Sequence, residues 1–306
     1  NYMTLPKGTT IQSNRGRGLI GGGNTGSATN NIAYVQIQST GNAVDFGDLT
    51  NAPSGPGGVS SSTRGIFAAG AASPTPSGID VIQYITIATT ANAIDFGNLL
   101  ASTRYTYGGS NNTRGIYGGG NPGPTNVIQY ITIASAGNAT DFGDLTAAKG
   151  ETGATSSTIR CLWGGGSSST NVIEYVTIST TGNAADFGDL TQGRLSLSST
   201  GSTTRAVFGG GYVSAPNTFT NTIDYVTIAS AGNAADFGDL TQVKFGLQAT
   251  SNSLRGIFCG GQTPTFQNTI GYVTISSTGN AADFGDLFAI TAAPGALSDS
   301  HGGISE

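Results

Sequence analysis

The chain has 306 residues, of which 49 are glycine and only 9% are charged, with a net charge of −5. No charge block, collagen period or heptad repeat is present, which excludes fibrous and coiled-coil classes. No apolar run reaches the length of a membrane span, so no spanning segment is expected.

Along the chain, the first strand-like stretch is GTTIQSN at 8–14, followed by RGLIGGG from Arg17. Next comes NIAYVQIQSTGNAVDFGDL from Asn31. Near copies are DVIQYITIATTANAIDFGNL from Asp80, NVIQYITIASAGNATDFGDL from Asn126 and NVIEYVTISTTGNAADFGDL from Asn171. Two more begin at Asn221 and Asn268, so one phrase is written six times.

Three anchors mark each copy. An arginine precedes a short apolar and glycine stretch: Arg17, Arg64, Arg114, Arg160, Arg205 and Arg255. A tyrosine sits inside the phrase: Tyr34, Tyr84, Tyr130, Tyr175, Tyr225 and Tyr272. An aspartate opens DFG: Asp45, Asp95, Asp141, Asp186, Asp236 and Asp283. Tyrosine to aspartate is 11 residues in every copy, and aspartate to the next arginine is always 19. Arginine to tyrosine varies from 15 to 20, so all length variation falls in one connection.

The repeat reads as β structure. IEYVTI alternates apolar and polar side chains with period two and is rich in β-branched residues. The following Gly182-Asn183 is a hairpin signal, with the asparagine expected in left-handed geometry because copy two has Ala91-Asn92. RLSLSST and AVFGG upstream, and AADFGDL downstream, complete four antiparallel strands in about 48 residues. Such a unit cannot cover both its faces alone. Six arranged radially make a six-bladed β-propeller, an all-β fold in a single domain over 1–306. The repeats run roughly 8–50, 51–100, 101–145, 146–190, 191–240 and 241–287, leaving 288–306 as a closing or accessory segment. Two segments compete for the innermost strand of the first blade. Residues 8–14 are the expected occupant, because Arg17 follows in register, although 288–303 also align without a gap on 241–256.

An arginine–aromatic–glycine strand, a tyrosine strand and an aromatic fourth strand resemble the kelch repeat. The departure lies in the last strand, where Phe46, Phe96, Phe142, Phe187, Phe237 and Phe284 stand in place of the usual tryptophan. At phrase level, IEYVTISTTGNAADFGDLT beside RGIYGGG is similar to repeats in structural proteins of tailed phages of marine bacteria. That resemblance implies a virion or extracellular location. It implies a non-catalytic role in tail, fibre or capsid surfaces, in assembly or host attachment. Partners would be other virion proteins or a host-surface glycan or receptor, with a homo-oligomer possible. The alternative reading is a secreted lectin-like or adhesin propeller that binds glycans through blade-related sites.

Motifs with other chemistry find little support. DFG lacks every other element of a protein kinase. DFGD as a calcium site is disfavoured, because Asp186 and Asp189 fall on opposite sides of an extended strand and copy two has Asn98. The motif acids exceed the six repeated arginines by five, the whole net charge. Pairing between those arginines and the motif aspartates is therefore expected, with the acids also discouraging edge-to-edge association. Lys149, Arg194 and Lys244 each lie eight residues after a motif aspartate, but Pro53, Thr103 and Thr291 break that ring, a poor basis for nucleic-acid binding.

Phe67, Tyr117, Trp163, Phe208 and Phe258, with Ile20 in copy one, are expected to pack between blades. Cys161 and Cys259 are expected as buried free thiols. The single histidine, His301, leaves no catalytic triad or histidine metal cluster, so no enzyme, metal or cofactor is expected.

The working surface is assigned to the variable connection at 70–79, 120–126, 211–221 and 261–268, with Tyr212, Phe219 and Phe266 as binding candidates. These loops hold six of the ten prolines, which stiffen them.

Overall fold

The computed structural model describes residues 16–72 and 77–304. Six four-stranded antiparallel sheets are arranged as a β-propeller, with no α-helix among the described residues. In blade 4, from the axis outward, the strands are Gly153–Ser156, Arg160–Gly164, Val172–Thr177 and Ala185–Asp189. The other blades repeat this order. Their innermost strands, from blade 1 to blade 6, are Gly295–Ser298, Gly57–Ser60, Tyr107–Ser110, Gly153–Ser156, Ser198–Gly201 and Gln248–Ser251. Each touches the next around the axis, and Gln248–Ser251 touches Gly295–Ser298, so the ring is closed.

Closure corrects one expectation. The innermost slot of blade 1 is filled by Gly295–Ser298, whose Leu297 pairs with Leu19 of Arg17–Gly21. Residues 8–14, expected there, lie outside the described residues. The reason is visible in the turn that follows. In blades 2 to 6 the arginine N–H is accepted by a side chain three residues earlier: Ser61, Asn111, Ser157, Ser202 and Asn252. In blade 1 that acceptor is Asp299, which takes Gly16 N at 2.7 Å and Arg17 N at 3.0 Å. Asp299 follows Ser298 as Ser61 follows Ser60, so the tail brings its own turn cap to the slot.

The repeated arginines do not pair with the DFGD acids. Each lies over the tyrosine of its own blade, its guanidinium carbon 4.3–4.8 Å from the ring centroid. Each also donates to a carbonyl at the end of the third strand of the next blade. Arg160 Nη1 reaches Ile228 O at 2.7 Å, and Arg255 closes the circle on Gln38 O at 2.9 Å. The tyrosine meets the motif phenylalanine edge-on, with centroids 5.7–6.1 Å apart. Arginine suits this post, because a planar cation can stack on an aromatic face and still donate in its plane.

The hairpin also differs from expectation. The turn falls earlier, with Thr180 N bonded to Thr177 O, and none of the motif asparagines has positive φ. The Gly-Asn-Ala stretch instead runs beside the outermost strand of the preceding blade. Gly182 N donates to Phe142 O at 2.8 Å and Ala184 N to Asp144 O at 2.7 Å. Asn183 Oδ1 accepts Asp144 N at 3.0 Å. The contact fixes the DFG glycine: Gly143 has φ +146°, and a Cβ there would lie 2.5 Å from Gly182 O. It sits at a β-bulge, shown by the register shift between Ile128 and Gln129. The outer edges are thus occupied by the neighbouring blade as well as carrying acids.

The core is divided among the seams. One cluster joins Leu162, Ile173 and Phe187 of blade 4 to Ala206, Phe208 and Val226 of blade 5. Phe67, Tyr117, Trp163, Phe208 and Phe258 have no exposed surface and Ile20 has 3%, as the packing reading required. Cys161 and Cys259 are buried free thiols, and burial pushes the Cys259 thiol up to about 12.

Replacing Arg160 by alanine is expected to destabilise the chain by about 1–2 kcal/mol, as a stacked cation and a charged hydrogen bond are lost together. Replacing the exposed Asp186 by asparagine is expected to change stability by less than about 0.5 kcal/mol. Denaturant midpoints compare the two; equal effects would restore the arginine–aspartate pairing.

Candidate functional site

The connections from second to third strand and from fourth to first strand open on the same face. At the centre of that face six residues, one per blade, have left-handed backbones: Gly55, Tyr105, Glu151, Ser196, Gly246 and Ala293, with φ between +48° and +74°. Each donates its N–H to the carbonyl of the one before, at 2.6–3.2 Å, and Gly55 N closes the circle on Ala293 O at 2.8 Å. Four of the six are not glycine, and a tyrosine or glutamate at positive φ is strained. The closed ring of bonds holds them there.

Side chains on this ring form a small polar cluster. The Tyr105 ring covers Gly55, where a Cβ would come within 2.3 Å of it. Arg104 sits 5.4 Å from the Tyr105 centroid, and its Nε is buried without a protein acceptor. The Glu151 carboxylate accepts Asn121 Nδ2 at 3.2 Å and the Ser196 hydroxyl. Below it lies Tyr107, whose phenol is pushed well above its ordinary range by burial first and then by the neighbouring Tyr105 and Glu151.

The variable loops are tied to this centre. Asn121 bridges Arg104, Tyr212 bridges Leu195, and Gln262 bridges Phe245. Two of the three predicted binding residues come together. Tyr212 and Phe219 pair across a short ribbon, Tyr212–Val213 with Thr218–Phe219, with ring centroids 5.9 Å apart. Both meet Phe245, which stacks on Phe219 at 4.6 Å. Phe266 pairs with Gln262 in its own ribbon and makes no ring contact with the other three. All four side chains are partly exposed. A recess of about 320 Å³ opens between blades 2 and 3, lined by Leu100, Thr103, Asn121, Pro122 and Gln129.

Sequence reasoning missed Arg104, Tyr105, Glu151 and Phe245. They lie in the connection whose length never changes, which reads as scaffold. The available signal was the single position that is glycine in two copies and tyrosine, glutamate, serine or alanine in the others.

Lys149, Arg194 and Lys244 are not a surface ring. They are 3%, 0% and 1% exposed and lie inside the seams. Lys149 forms a salt bridge with Glu174, and Arg194 Nη2 lies 2.8 Å from Asp224 Oδ2, with both acids fully buried. Among the described residues no group of three or more histidine, cysteine or acidic side chains is arranged to hold a metal.

Below the face, a channel of about 50 Å³ runs down the axis. Five serines tie its wall: Ser110 Oγ donates to Ser60 O, Ser156 Oγ to Ser110 O, Ser60 Oγ to Ser298 O, Ser298 Oγ to Ser251 O and Ser251 Oγ to Gly201 O, at 2.5–2.8 Å. The tail folds across the far end. There His301 Nδ1 accepts Gly303 N at 3.0 Å, and Nε2 faces Ser110 Oγ and Ser60 O at 3.1 and 3.3 Å. An accepting Nδ1 requires the neutral ring.

A scan against protein-family models gives no match to this chain, and no curated protein is significantly similar to it.

Burial lowers the His301 pKa to about 4, from an ordinary 6.5. The unfolded chain therefore binds a proton that the folded chain refuses between these values. The His301 contribution to stability is expected to be level above pH 6.5 and to fall as the pH drops towards 4. His301→Gln should flatten that slope in chemical denaturation at pH 7.5 and 5; an unchanged slope would remove His301 as its source.

Proposed function

We propose that the chain is a non-catalytic propeller of a virion surface, serving assembly or host attachment through its variable-loop face. One observation supports this reading above the others. Every length change in the repeat, the strained non-glycine ring and the partly exposed aromatic cluster converge on one face, while the other carries short turns of constant length around the folded tail. Variable loops tied to a rigid scaffold are the usual site of recognition. The phrase-level resemblance to phage structural proteins favours a virion location.

The repeated charges support a scaffold in the same sense. Six arginines are committed to tyrosines and carbonyls inside the ring, and Glu151 is committed to Asn121 and Ser196.

A second reading, glycan binding by a lectin-like or adhesin propeller, is favoured by the Tyr212–Phe219–Phe245 cluster. Partly exposed aromatic rings offer faces on which a sugar can stack.

Replacing loops 211–221 and 261–268 by the short GSSSTN of 166–171 tests the face. Folding should survive, because the arginine, tyrosine and motif phenylalanine of each blade are untouched. Adsorption to host cells, or incorporation into particles read by mass spectrometry, is expected to fall at least tenfold. Unchanged adsorption and incorporation, together with loss on charge reversal at the opposite face, would relocate the working surface. For the second reading, a glycan array should show signal that Phe245→Ala lowers at least fivefold; an array without signal rejects it.

A further inference from the structure

The seams between blades share one polar position. A polar side chain on the third strand of blades 2 to 5 faces the end of the fourth strand of the blade before. In blade 2 Gln83 accepts Thr50 N at 2.6 Å, and in blade 3 Gln129 accepts Leu100 N at 2.8 Å. In blade 4 Glu174 accepts Thr146 N at 2.6 Å and pairs with Lys149. In blade 5 Asp224 accepts Thr191 Oγ1 at 2.5 Å and pairs with Arg194. Acid and base arrive together, and neutral residues stand opposite one another elsewhere.

The seam between blades 5 and 6 breaks this pattern. The base is present as Lys244, buried to 1% exposure, but the acid's position is Gly271. The Lys244 ammonium donates only to Thr269 Oγ1, at 3.5 Å, and the one titratable group beside it is the buried Cys259 thiol. Thr269 lies two residues from Gly271 on the same strand, hence on the same side of the sheet. A buried ammonium without a counter-ion is strongly unfavourable.

The position tolerates a side chain. A Cβ on Gly271 would have no atom nearer than 3.7 Å, and one of its three closest neighbours is Thr241 Oγ1 at 3.8 Å. Thr241 occupies the position of Thr50, Thr146 and Thr191, and its N–H and hydroxyl have no protein acceptor among the described residues. Gln242 Nε2 completes the surround by donating to Thr269 Oγ1 at 3.1 Å. A cation and two further donors thus border the space that a carboxylate fills in the two preceding seams.

We propose that this seam binds a small free monocarboxylate, of formate or acetate size, as the counter-ion of Lys244. One carboxylate would accept from the ammonium and from Thr241, reproducing with a bound ligand what Glu174 and Asp224 supply covalently. Thr241 is exposed, which gives the ligand a route from the rim. The site is independent of the proposed attachment role.

Thermal unfolding of the full chain in sodium acetate, formate and chloride at matched ionic strength tests it. The unaltered chain is expected to gain about 2 °C, saturably, in acetate or formate over chloride. Gly271→Glu, which supplies the carboxylate from the chain, should start higher and show no further gain; Lys244→Met should show none. Broadening of the signal of ¹³C-labelled acetate by the unaltered chain, reversed by excess formate, reads the same site without unfolding and does not depend on whether a variant folds. The proposal is overturned if acetate is not broadened, if chloride gives the same gain, or if Gly271→Glu responds as the unaltered chain does.

Discussion

An arginine lying flat on the tyrosine of its own blade, while donating to a carbonyl of the next, is the contact on which the ring depends. It acts in two directions at once. Stacking orders the second and third strands of one sheet, and the hydrogen bond sets the angle at which the following sheet approaches. Because the same contact recurs at all six seams, the rotation from blade to blade is uniform and the circle closes. The fixed spacings follow from it. Tyrosine, aspartate and next arginine must keep their separations to meet both neighbours, whereas the connection after the arginine strand takes no part in that contact and can vary.

Within that uniform frame, neighbouring blades trade volume in pairs. The second strand usually ends in glycine against an aromatic of the next blade, as with Gly118 under Trp163 and Gly164 under Phe208. Blade 1 offers the smaller Ile20, and blade 6 ends instead in Cys259 within the same cluster. Gly109 stands where other innermost strands carry valine, threonine or leucine, and Cys161 of the next blade fills the space. Both cysteines are therefore explained by packing density across a seam, where a void of one methyl group is already costly. The buried pairs Lys149–Glu174 and Arg194–Asp224 obey the same rule of matched partners, with charge in place of volume.

The strands, their order and the number of blades were legible because periodicity and spacing report backbone geometry directly. Partners were less legible. Counting acids against bases suggested arginine–aspartate pairs, but the count carries no directions: the arginine points along its own sheet to a tyrosine, and Asp186 points to solvent. The turn was misplaced because Gly182-Asn183 has hairpin chemistry, while its actual constraint comes from the outer strand of another blade. At the closure both segments fitted the slot by strand character. The discriminating detail was a single polar residue, Asp299, aligned with the serines and asparagines that cap the other turns. On the candidate face, loop composition pointed to Tyr212 and Phe219, whose rings do meet, but Phe245 sits in a connection of constant length and is brought to them only by the fold.

The strand that completes blade 1 lies at the opposite end of the sequence from its partners, and Asp299 caps Arg17 across 282 positions. During synthesis the growing chain can therefore assemble five whole blades and three-quarters of another and still be an open arc. Its two free flanks would carry seam surfaces meant for each other. Local hairpins form early, whereas this last pairing must wait until residues 295–298 have been made and bears the largest loop-closure entropy. An arc whose six units are almost interchangeable can also be closed by the wrong neighbour, from the same molecule or another. Blade-specific differences, such as Ile20 against Cys259, give the correct pair of flanks a fit that no other pair in the chain reproduces.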